Sequence, residues 1–424
     1  MRAVAPRSVK VAAAALCTPV PIAIALLVAA PICWALPAHA QKLSDAAPAT
    51  ATAAIPIATS LDIQGDRRRS QLTIAFDAPV ATSIYTVANQ YRVILDLPAV
   101  AFSLPKPTVE PKGLVERVRF GLVAPGKARV VLDLKGPARV EPTPRAGEAG
   151  IQLKLDLVEV APAAFRISPP PALARVSPPP PVEPAPREAT SKPVIIIDAG
   201  HCGVDPGAYA GEVAEKDVVL AVAQHLETLL SAKGLYDVHM TRTTDVFVTL
   251  DDRVELSRDK QASLFISIHA DAVAVKERAQ LVRGATVYTL SDEASNAEAQ
   301  ALADKENASD VAAGAEQEES GEQGQLKGIL IDLMRRETAD FSADFQTRLL
   351  PHIRRSIGLS QQPARSAAFR VLKQTQSPAV LIELGYMSNA QDAKLLTSAD
   401  WQRKAATSIA AAVDEFFTRR KPKR

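Results

Sequence analysis

The sequence predicts an α/β domain, built on a twisted mixed sheet flanked by helices, that follows a small all-β sandwich-like domain. Three observations support this prediction. Residues 56–160 alternate apolar and polar side chains, residues 162–193 hold 11 of the chain's 32 prolines, and residues 194–418 alternate strand-like with helix-like segments. Because a proline-rich segment sustains neither helices nor sheets, we expect an extended linker between two folded domains.

The first predicted domain consists of short strands separated by turns that contain Pro and Gly. Its segments at 72–76, 93–97, 130–134 and 151–157 alternate with the period of a half-buried strand. This pattern favours a small sandwich with one solvated face. The segments VILDL at 93–97 and VVLDL at 130–134 are also alike, which suggests two similar halves.

The second predicted domain begins with an apolar run, Val194–Ile197, that is typical of a strand buried on both faces. Apolar residues at helical spacing then predict a helix over 216–232. Further strands are predicted at 236–242, 263–269, 285–290 and 379–386, with a closing helix over 401–418. Such alternation of strands and helices indicates a mostly parallel or mixed sheet.

A long insertion interrupts this alternation at 291–360. It contains an acid-rich helical segment at 294–310, a Gly/Glu-rich stretch near 314–324 and a second amphipathic helix. One face of that second helix carries Leu326, Ile329, Leu330, Leu333 and Met334. A long insertion beside such a sheet is more often functional than decorative.

Residues 1–40 have the composition of a secretory signal peptide. The segment has a basic start with Arg2, Arg7 and Lys10, an apolar stretch from Val11 to about Leu36, and a small-x-small cleavage site at Ala38-His39-Ala40. An uncleaved membrane anchor is the alternative, although Pro19, Pro21, Pro31 and Pro37 interrupt the apolar stretch. We expect cleavage.

Removal of this segment changes the formal net charge from +2 to −1. A chain without net positive charge is not expected to bind nucleic acid. No other apolar run approaches the length that crosses a bilayer, so no stable membrane span is expected after cleavage. Cys202 would be the one remaining cysteine, which excludes an internal disulfide.

Polar residues follow two of the apolar strands. Ile195–Ile197 leads towards His201, and Leu264–Ile268 leads directly into His269. If these strands are neighbours, both histidines lie at one edge of the sheet, where ligands bind in open α/β folds. Glu215 begins the next helix and is placed to return as a third ligand. Two imidazoles and one carboxylate suit zinc, with a fourth position left for water.

Each of these residues also has a simpler interpretation. A single histidine near a strand end is usually only hydrogen-bonded, and Glu215 alone could be a carboxylate favoured by a helix N-terminus. Asp198 more simply braces the turn, or hydrogen-bonds a ligand imidazole. His225, His239 and His352 lack this context, and we interpret them as structural. Spacing alone leaves the metal site open.

Several separate motifs follow one another in a characteristic order. They are VIIIDAGHCGVDPGA, AEKDVVLA, TRTTDVFVTLDDRVELS, ASLFISIHAD and PAVLIELGYMSN. Together they resemble the zinc-dependent N-acetylmuramoyl-L-alanine amidase family (amidase type 3) over residues 194–418. Residues 56–160 are similar in pattern to the AMIN module that accompanies such enzymes. With the signal and the proline-rich linker, the layout resembles the periplasmic cell-division amidases.

The resemblance implies roles for particular residues. His201, Glu215 and His269 match the family's zinc ligands, and Glu383 in LIELGY matches its catalytic glutamate. The implied substrate is peptidoglycan, and the bond is the lactyl amide between N-acetylmuramic acid and L-alanine. The implied location is the periplasm, at the division septum.

The resemblance also implies regulation by an insertion over about 291–350. Glu306 matches the glutamate that blocks the zinc, although by itself it would be interpreted as a solvated helix carboxylate. The docking face for an activator with a LytM-type domain would be formed by Leu326, Ile329, Leu330 and Leu333. The AMIN-like domain would bind the wall or a septal component, with a structural lid as the alternative.

Two other functions fit the same motifs. The domain could be an inert amidase-like scaffold that binds the wall, or a zinc peptidase that cleaves an ordinary peptide bond. Cys202 departs from the family, which usually has Gly after the first ligand histidine. We expect it to contribute to packing, because adjacent residues rarely both reach one metal ion.

Overall fold

The structure, a computed structural model, describes residues 55–88, 90–104, 109–145, 147–169, 192–273, 278–314, 328–374 and 376–420. The predicted signal at 1–40 and most of the predicted linker at 162–193 lie outside the described residues. Leu326 and the side chains of Ile329, Leu330 and Leu333 lie outside them as well.

The first domain consists of two antiparallel sheets that pack face to face, apart from one short parallel pairing at an edge. Its strands are β1 (Ile57–Gly65), β2 (Arg69–Ala81), β3 (Ser83–Val87), β4 (Arg92–Pro98), β5 (Ala101–Phe102), β6 (Val115–Ala124), β7 (Lys127–Leu134), β8 (Ala138–Thr143) and β9 (Ala149–Glu159). The strand orders are β5-β1-β2-β9-β8 and β3-β4-β7-β6. Alternate residues such as Leu72, Leu95, Leu132 and Leu155 fill one core between the sheets. The predicted all-β sandwich is confirmed.

The outer face of the four-stranded sheet differs from the prediction of a solvated face. Ile94 and Val131 point away from the sandwich core and are nevertheless fully buried. Val131 packs with Cys202 and Phe247 of the second domain, and residues 54–424 form one compact unit. The prediction is wrong for this sheet because a second domain, which strand periodicity does not reveal, covers its outer face.

The second domain is built on a six-stranded sheet with the order β13-β10-β14-β17-β15-β16. Its strands are β10 (Val194–Ala199), β13 (Asp237–Met240), β14 (Leu264–His269), β15 (Ala285–Leu290), β16 (Leu359–Ala367) and β17 (Ala379–Glu383), and β11 (Tyr209–Ala210) and β12 (Val213–Ala214) form a separate hairpin. β15 runs antiparallel to β17, whereas the other pairs are parallel. The predicted mixed sheet is confirmed.

Helices cover both faces of this sheet. They are α1 (Glu215–Ser231), α2 (Leu250–Asp259), α3 (Ala297–Asn307), α4 (Ser309–Ala312), α5 (Gly328–Ser356), α6 (Ala390–Leu396) and α7 (Ala399–Arg420). Buried residues of α1, α5 and α7 share one core with Ile266, and α3 packs on the other face through Leu302 beside Tyr288. None of the helices in the described ranges is long and apolar enough to cross a membrane.

Three neighbouring strands bring polar residues to the same edge of the sheet. β10, β14 and β17 are parallel, so their carboxyl ends lie side by side. His269 at the end of β14 is in register with Glu383 at the end of β17. The Gly200 N–H donates to the Ile268 carbonyl over 3.0 Å, which holds the loop after β10 beside β14. This edge positions the candidate site.

Candidate metal centre

Two histidines and one glutamate converge at this edge. His201, Glu215 and His269 each offer a ligand atom within 4.8 Å of the other two. Glu215 Oε1 lies 3.2 Å from His201 Nε2 and 3.6 Å from His269 Nδ1. All three residues are buried, with His201 the most exposed at 6%. The cluster could therefore hold a metal ion.

The hydrogen bonding of His201 and the unpartnered ring nitrogens of both histidines fit a metal ligand set. His201 Nδ1 lies 2.9 Å from Asp205 Oδ2, so this nitrogen carries the proton and the lone pair of Nε2 faces the cluster. In the part of the chain that the structure describes, His201 Nε2 and His269 Nδ1 are buried without a hydrogen-bond partner. Such atoms are costly to bury. A divalent ion would satisfy both nitrogens together with Glu215.

The electrostatic surroundings also favour a cation. Burial alone would lower the pKa of His201, but the carboxylates of Glu215, Glu306 and Asp205 raise it well above its ordinary value. Burial would raise the pKa of Glu215, yet the nearby positive charges of His201 and Lys305 hold it well below its ordinary value. Protons and metal ions compete for the same imidazole nitrogens. The negative potential of the cluster thus favours binding of a positive ion.

Backbone groups and two glycines position the ligand side chains. The N–H of Ala270 donates to Glu215 Oε1 over 2.8 Å. Gly207 has a φ of +69°, and a Cβ at this position would lie 2.6 Å from Glu215 Oε2. A Cβ on Gly200 would lie 2.4 Å from ring atoms of His269. Larger residues at these two positions would displace the candidate ligands.

Asp198 braces the loop that carries His201. Its Oδ1 accepts from Arg253 Nη1 over 2.6 Å, and its Oδ2 accepts from Ser267 Oγ over 2.6 Å. Arg253 Nη2 also donates to Cys202 Sγ over 3.1 Å. Cys202 is fully buried in these contacts, and burial raises the pKa of its thiol. Its sulfur lies outside the three-residue cluster.

Glu383 is buried at the end of β17, beside His269. Its Oε2 accepts from the Asp271 N–H over 2.9 Å, while its Oε1 has no hydrogen-bond partner among the described residues. Burial, followed by the nearby carboxylates of Asp271 and Glu215, raises the pKa of Glu383 well above its ordinary value. Glu383 is therefore a carboxyl group suited to exchanging protons next to the cluster.

Glu306 reaches the same cluster from helix α3. Its Oε2 lies 3.5 Å from His201 Nε2 and 3.4 Å from His269 Nδ1. Glu306 is only 6% exposed, so it is not the solvated carboxylate that its sequence context would suggest. The adjacent Lys305 forms an ion pair with Asp271. These contacts hold α3 against the cluster.

Two of the histidines interpreted as structural lie in other contacts, and two residues that support the site were not predicted. His239 Nε2 pairs with Asp237 over 3.1 Å and His352 Nε2 with Glu415 over 3.0 Å, so both lie in other contacts. Sequence reasoning missed Asp205 and Arg253. The first could have been suspected from the DPG turn that follows His201, whereas a helical arginine gives no such signal.

Comparisons with known proteins agree with this geometry. The family model described as N-acetylmuramoyl-L-alanine amidase matches residues 195–415, and the model described as AMIN domain matches residues 60–156. N-acetylmuramoyl-L-alanine amidase AmiA of Escherichia coli is 35% identical over 237 residues, which cover 55% of this chain and 80% of that protein. AmiC of Neisseria meningitidis is 30% identical over 399 residues, which cover 88% of this chain and 94% of that protein.

Among solved structures, the CwlD amidase of Clostridioides difficile in complex with the GerS lipoprotein is 22% identical, with a TM-score of 0.40. The match covers 54% of this chain and 99% of CwlD. The two family models and the relatives lead to one assignment. The chain belongs to the N-acetylmuramoyl-L-alanine amidase family and carries an N-terminal AMIN domain.

Proposed function

We propose that the chain is a zinc hydrolase that cleaves the amide bond between N-acetylmuramic acid and L-alanine in peptidoglycan. The observation that supports it best is the pair of unpartnered imidazole nitrogens facing the Glu215 carboxylate, with Glu383 beside them. His201, Glu215 and His269 would hold the ion. When bound there, zinc supplies a Lewis acid that acidifies water and polarises the amide carbonyl.

The protein's own residues would perform the proton transfers. Glu383 Oε1 would take a proton from the attacking water, whose oxygen forms the new bond to the carbonyl carbon. Glu383 would then deliver that proton to the leaving nitrogen as the carbon–nitrogen bond breaks. The Asp271 N–H, which donates to Glu383 Oε2, would hold the carboxyl group in place. The products are the lactyl carboxylate and a peptide with a free L-alanine amino group.

The test is digestion of purified peptidoglycan by the purified full-length protein, together with metal analysis. We expect release of peptides with a new L-alanine amino terminus, loss of release with a chelator, and recovery on addition of zinc. Glu383→Gln should lower release at least 100-fold and leave the zinc content unchanged. Glu212→Gln, at an exposed position, is the matched control.

The same experiment separates the alternatives. An inert wall-binding scaffold would sediment with peptidoglycan and release no peptide. A zinc peptidase would release fragments cut at a peptide bond, without free muramic lactyl groups. Either result would contradict the proposed reaction.

We further propose that helix α3 inhibits the enzyme. Glu306 would supply a second carboxylate to the bound ion, neutralise its remaining charge and exclude the reacting water. The distances of 3.4 and 3.5 Å from Glu306 Oε2 to the two imidazole nitrogens support this role. An activator with a LytM-type domain would release α3 by docking on Leu326, Ile329, Leu330 and Leu333.

The proposed setting follows from the predicted segments. Residues 1–40 would direct export to the periplasm, and 162–193 would link the AMIN domain of 56–160 to the amidase domain of 194–418. The AMIN domain would bind peptidoglycan or a septal component. The enzyme would then act at the septum during separation of daughter cells. Microscopy of a fluorescent fusion with and without residues 56–160 tests this setting.

A further inference from the structure

Helix α3 carries a second acid, Glu298, whose carboxylate lies between two arginines. Arg278 Nη1 lies 2.6 Å from Glu298 Oε1, and Arg365 Nη1 lies 3.1 Å from Glu298 Oε2. Each carboxylate oxygen therefore pairs with a different guanidinium group. The Arg365 side chain is only 9% exposed, so it is fixed in the wall of the domain, whereas that of Arg278 is 56% exposed. Charge-assisted pairs of this kind recognise carboxylates specifically.

The same helix extends from the metal cluster to these arginines. At one end Glu306 faces the imidazoles, and at the other end Glu298 faces the two arginines. Between α3 and the domain lies a cavity of about 420 Å³. Its lining includes Arg278, Arg365, Tyr288, Tyr386, Val282 and Leu302. A cavity of this size suits a small ligand with apolar parts and a few polar groups.

The spacing of the two acids indicates how far such a ligand would extend. Glu306 lies eight positions after Glu298, which corresponds to a rise of about 12 Å along an α-helix. An extended peptide spans about 3.3–3.6 Å per residue. A peptide with its first amide at the metal cluster would therefore reach the arginines with its third or fourth residue.

We infer that Arg278 and Arg365 form a binding site for a free carboxylate of the peptidoglycan stem peptide. This stem-peptide carboxylate lies three to four residues from the amide that is cleaved. Glu298 occupies its place while α3 covers the cavity. This inference rests on the proposed amidase function. A carboxylate is the expected ligand because the group that the structure places between the arginines is itself a carboxylate.

The inference is tested with two soluble muropeptides. One carries free carboxylates at its third and fourth stem residues, and the other carries carboxamides at the same positions. With the full-length zinc-loaded enzyme, kcat/KM should be about tenfold higher for the carboxylate form. The double variant Arg278→Gln/Arg365→Gln should bring this ratio to about one. Arg283→Gln, at an exposed arginine paired with Gln391 instead, should leave the ratio unchanged. The ratio of kcat/KM for the two peptides is measured within each variant. Any loosening of α3 therefore affects both peptides equally and cancels from the ratio.

Binding of the free stem peptides gives a readout that needs no turnover. Glu298→Gln should bind the carboxylate peptide about tenfold more tightly than its carboxamide, and addition of Arg278→Gln should remove this preference. Arg278 is largely exposed, so the second variant keeps the test valid if loss of Arg365 impairs folding. Equal binding of both peptides would overturn the carboxylate site even if the enzyme cleaves. Preferential binding without any cleavage would instead contradict the proposed reaction.

Discussion

Glu306 and Glu215 present carboxylate oxygens to the same two imidazole nitrogens. Their oxygens lie between 3.2 and 3.6 Å from His201 Nε2 and His269 Nδ1. Two carboxylates and two neutral imidazoles around a divalent ion leave no net charge and no free position in a four-coordinate site. In the proposed zinc site, the single side chain of Glu306 would therefore determine whether water can reach the ion.

Replacement of Glu306 by alanine tests this role. We expect Glu306→Ala to raise the rate of peptide release from purified peptidoglycan at least tenfold, because the blocking carboxylate is removed while the zinc ligands remain. Asp304→Asn changes an exposed acid on the same helix and should leave the rate unchanged. A Glu306→Ala enzyme that is zinc-loaded but no more active than the wild type would contradict autoinhibition.

The sequence could predict the residues that converge but not all of those that support them. His201 and His269 follow apolar strands, and that local pattern is sufficient to suggest a shared edge, whereas Glu383 is identified through the family resemblance. Asp205, which orients the ring of His201, and Arg253, which braces Asp198 and Cys202, act through contacts that depend on how loops cross in space. No periodicity records such contacts.

At the scale of elements, the short helix α4, which follows α3 directly, attaches this part of the chain to α2. Asp310 Oδ1 accepts from the N–H of Leu250 over 3.0 Å. Burial raises the pKa of Asp310 to about 6. The hydrogen bond from Leu250 and the charges of Arg370 and Arg253 oppose this shift, and the nearby carboxylate of Asp251 adds to it. The folded protein therefore binds this proton more tightly than the unfolded chain does.

The pH dependence of stability follows from that shift. The carboxyl of Asp310 contributes stability that is fully present below its ordinary pKa of 3.8 and is lost as the pH rises through about 6. Between pH 4.5 and pH 8, the free energy of unfolding of Asp310→Asn should rise by about 2 kcal/mol relative to that of the wild type. This change corresponds to a few degrees in Tm. Thermal melting at both pH values measures this difference, with Asp304→Asn as the exposed-acid control. If the difference in Tm between Asp310→Asn and the wild type is the same at both pH values, Asp310 is ionised throughout.

The strand β16 shows where prediction of elements from sequence fails. Its sequence LSQQPARSA is polar and contains Pro363, which argues against a central strand. β16 lies at the edge of the sheet, and its pairing with β15 has a register shift that accommodates the irregular segment. The apolar strands β10, β14 and β17 lie in the interior of the sheet, and all three were predicted because burial on both faces requires a continuous apolar run.

At the scale of the whole molecule, the AMIN domain contacts the end of α4. Arg129 Nη1 donates to the carbonyls of Gly314 and Ala313 over 2.9 and 3.2 Å, and Arg92 Nη1 donates to the Val311 carbonyl over 2.5 Å. Arg129 is fully buried and held by two hydrogen bonds to Asp96. The first domain thus supplies hydrogen-bond donors to carbonyl groups at the end of α4, where the helix itself has none to offer.

The AMIN domain also packs directly against the loop behind His201. A Cβ on Gly121 of β6 would lie 2.2 Å from the Gly203 carbonyl oxygen, and the Phe247 N–H donates to the Leu122 carbonyl over 3.1 Å. Neighbouring residues of β6, such as Phe120, point into the sandwich core instead. Gly121 and Gly203, where a Cβ would lie 1.9 Å from the Leu122 carbonyl oxygen, therefore allow the two backbones to approach without disturbing the core of either domain.

Gly121→Ala should separate the AMIN domain from this loop, because the added methyl group meets backbone atoms that cannot rotate away. We expect faster amide hydrogen exchange over residues 309–314 and a several-fold rise in peptide release by the full-length enzyme. Gly136→Ala in the same domain, where a Cβ would have no atom within 4 Å and the backbone φ is not positive, is the matched control. Exchange over 309–314 that stays as slow as in wild type would mean that α4 holds its position without the AMIN domain. The proposed coupling would run through the carbonyls of 311, 313 and 314, which accept from Arg92 and Arg129, so a ligand that draws the AMIN domain away should act as Gly121→Ala does.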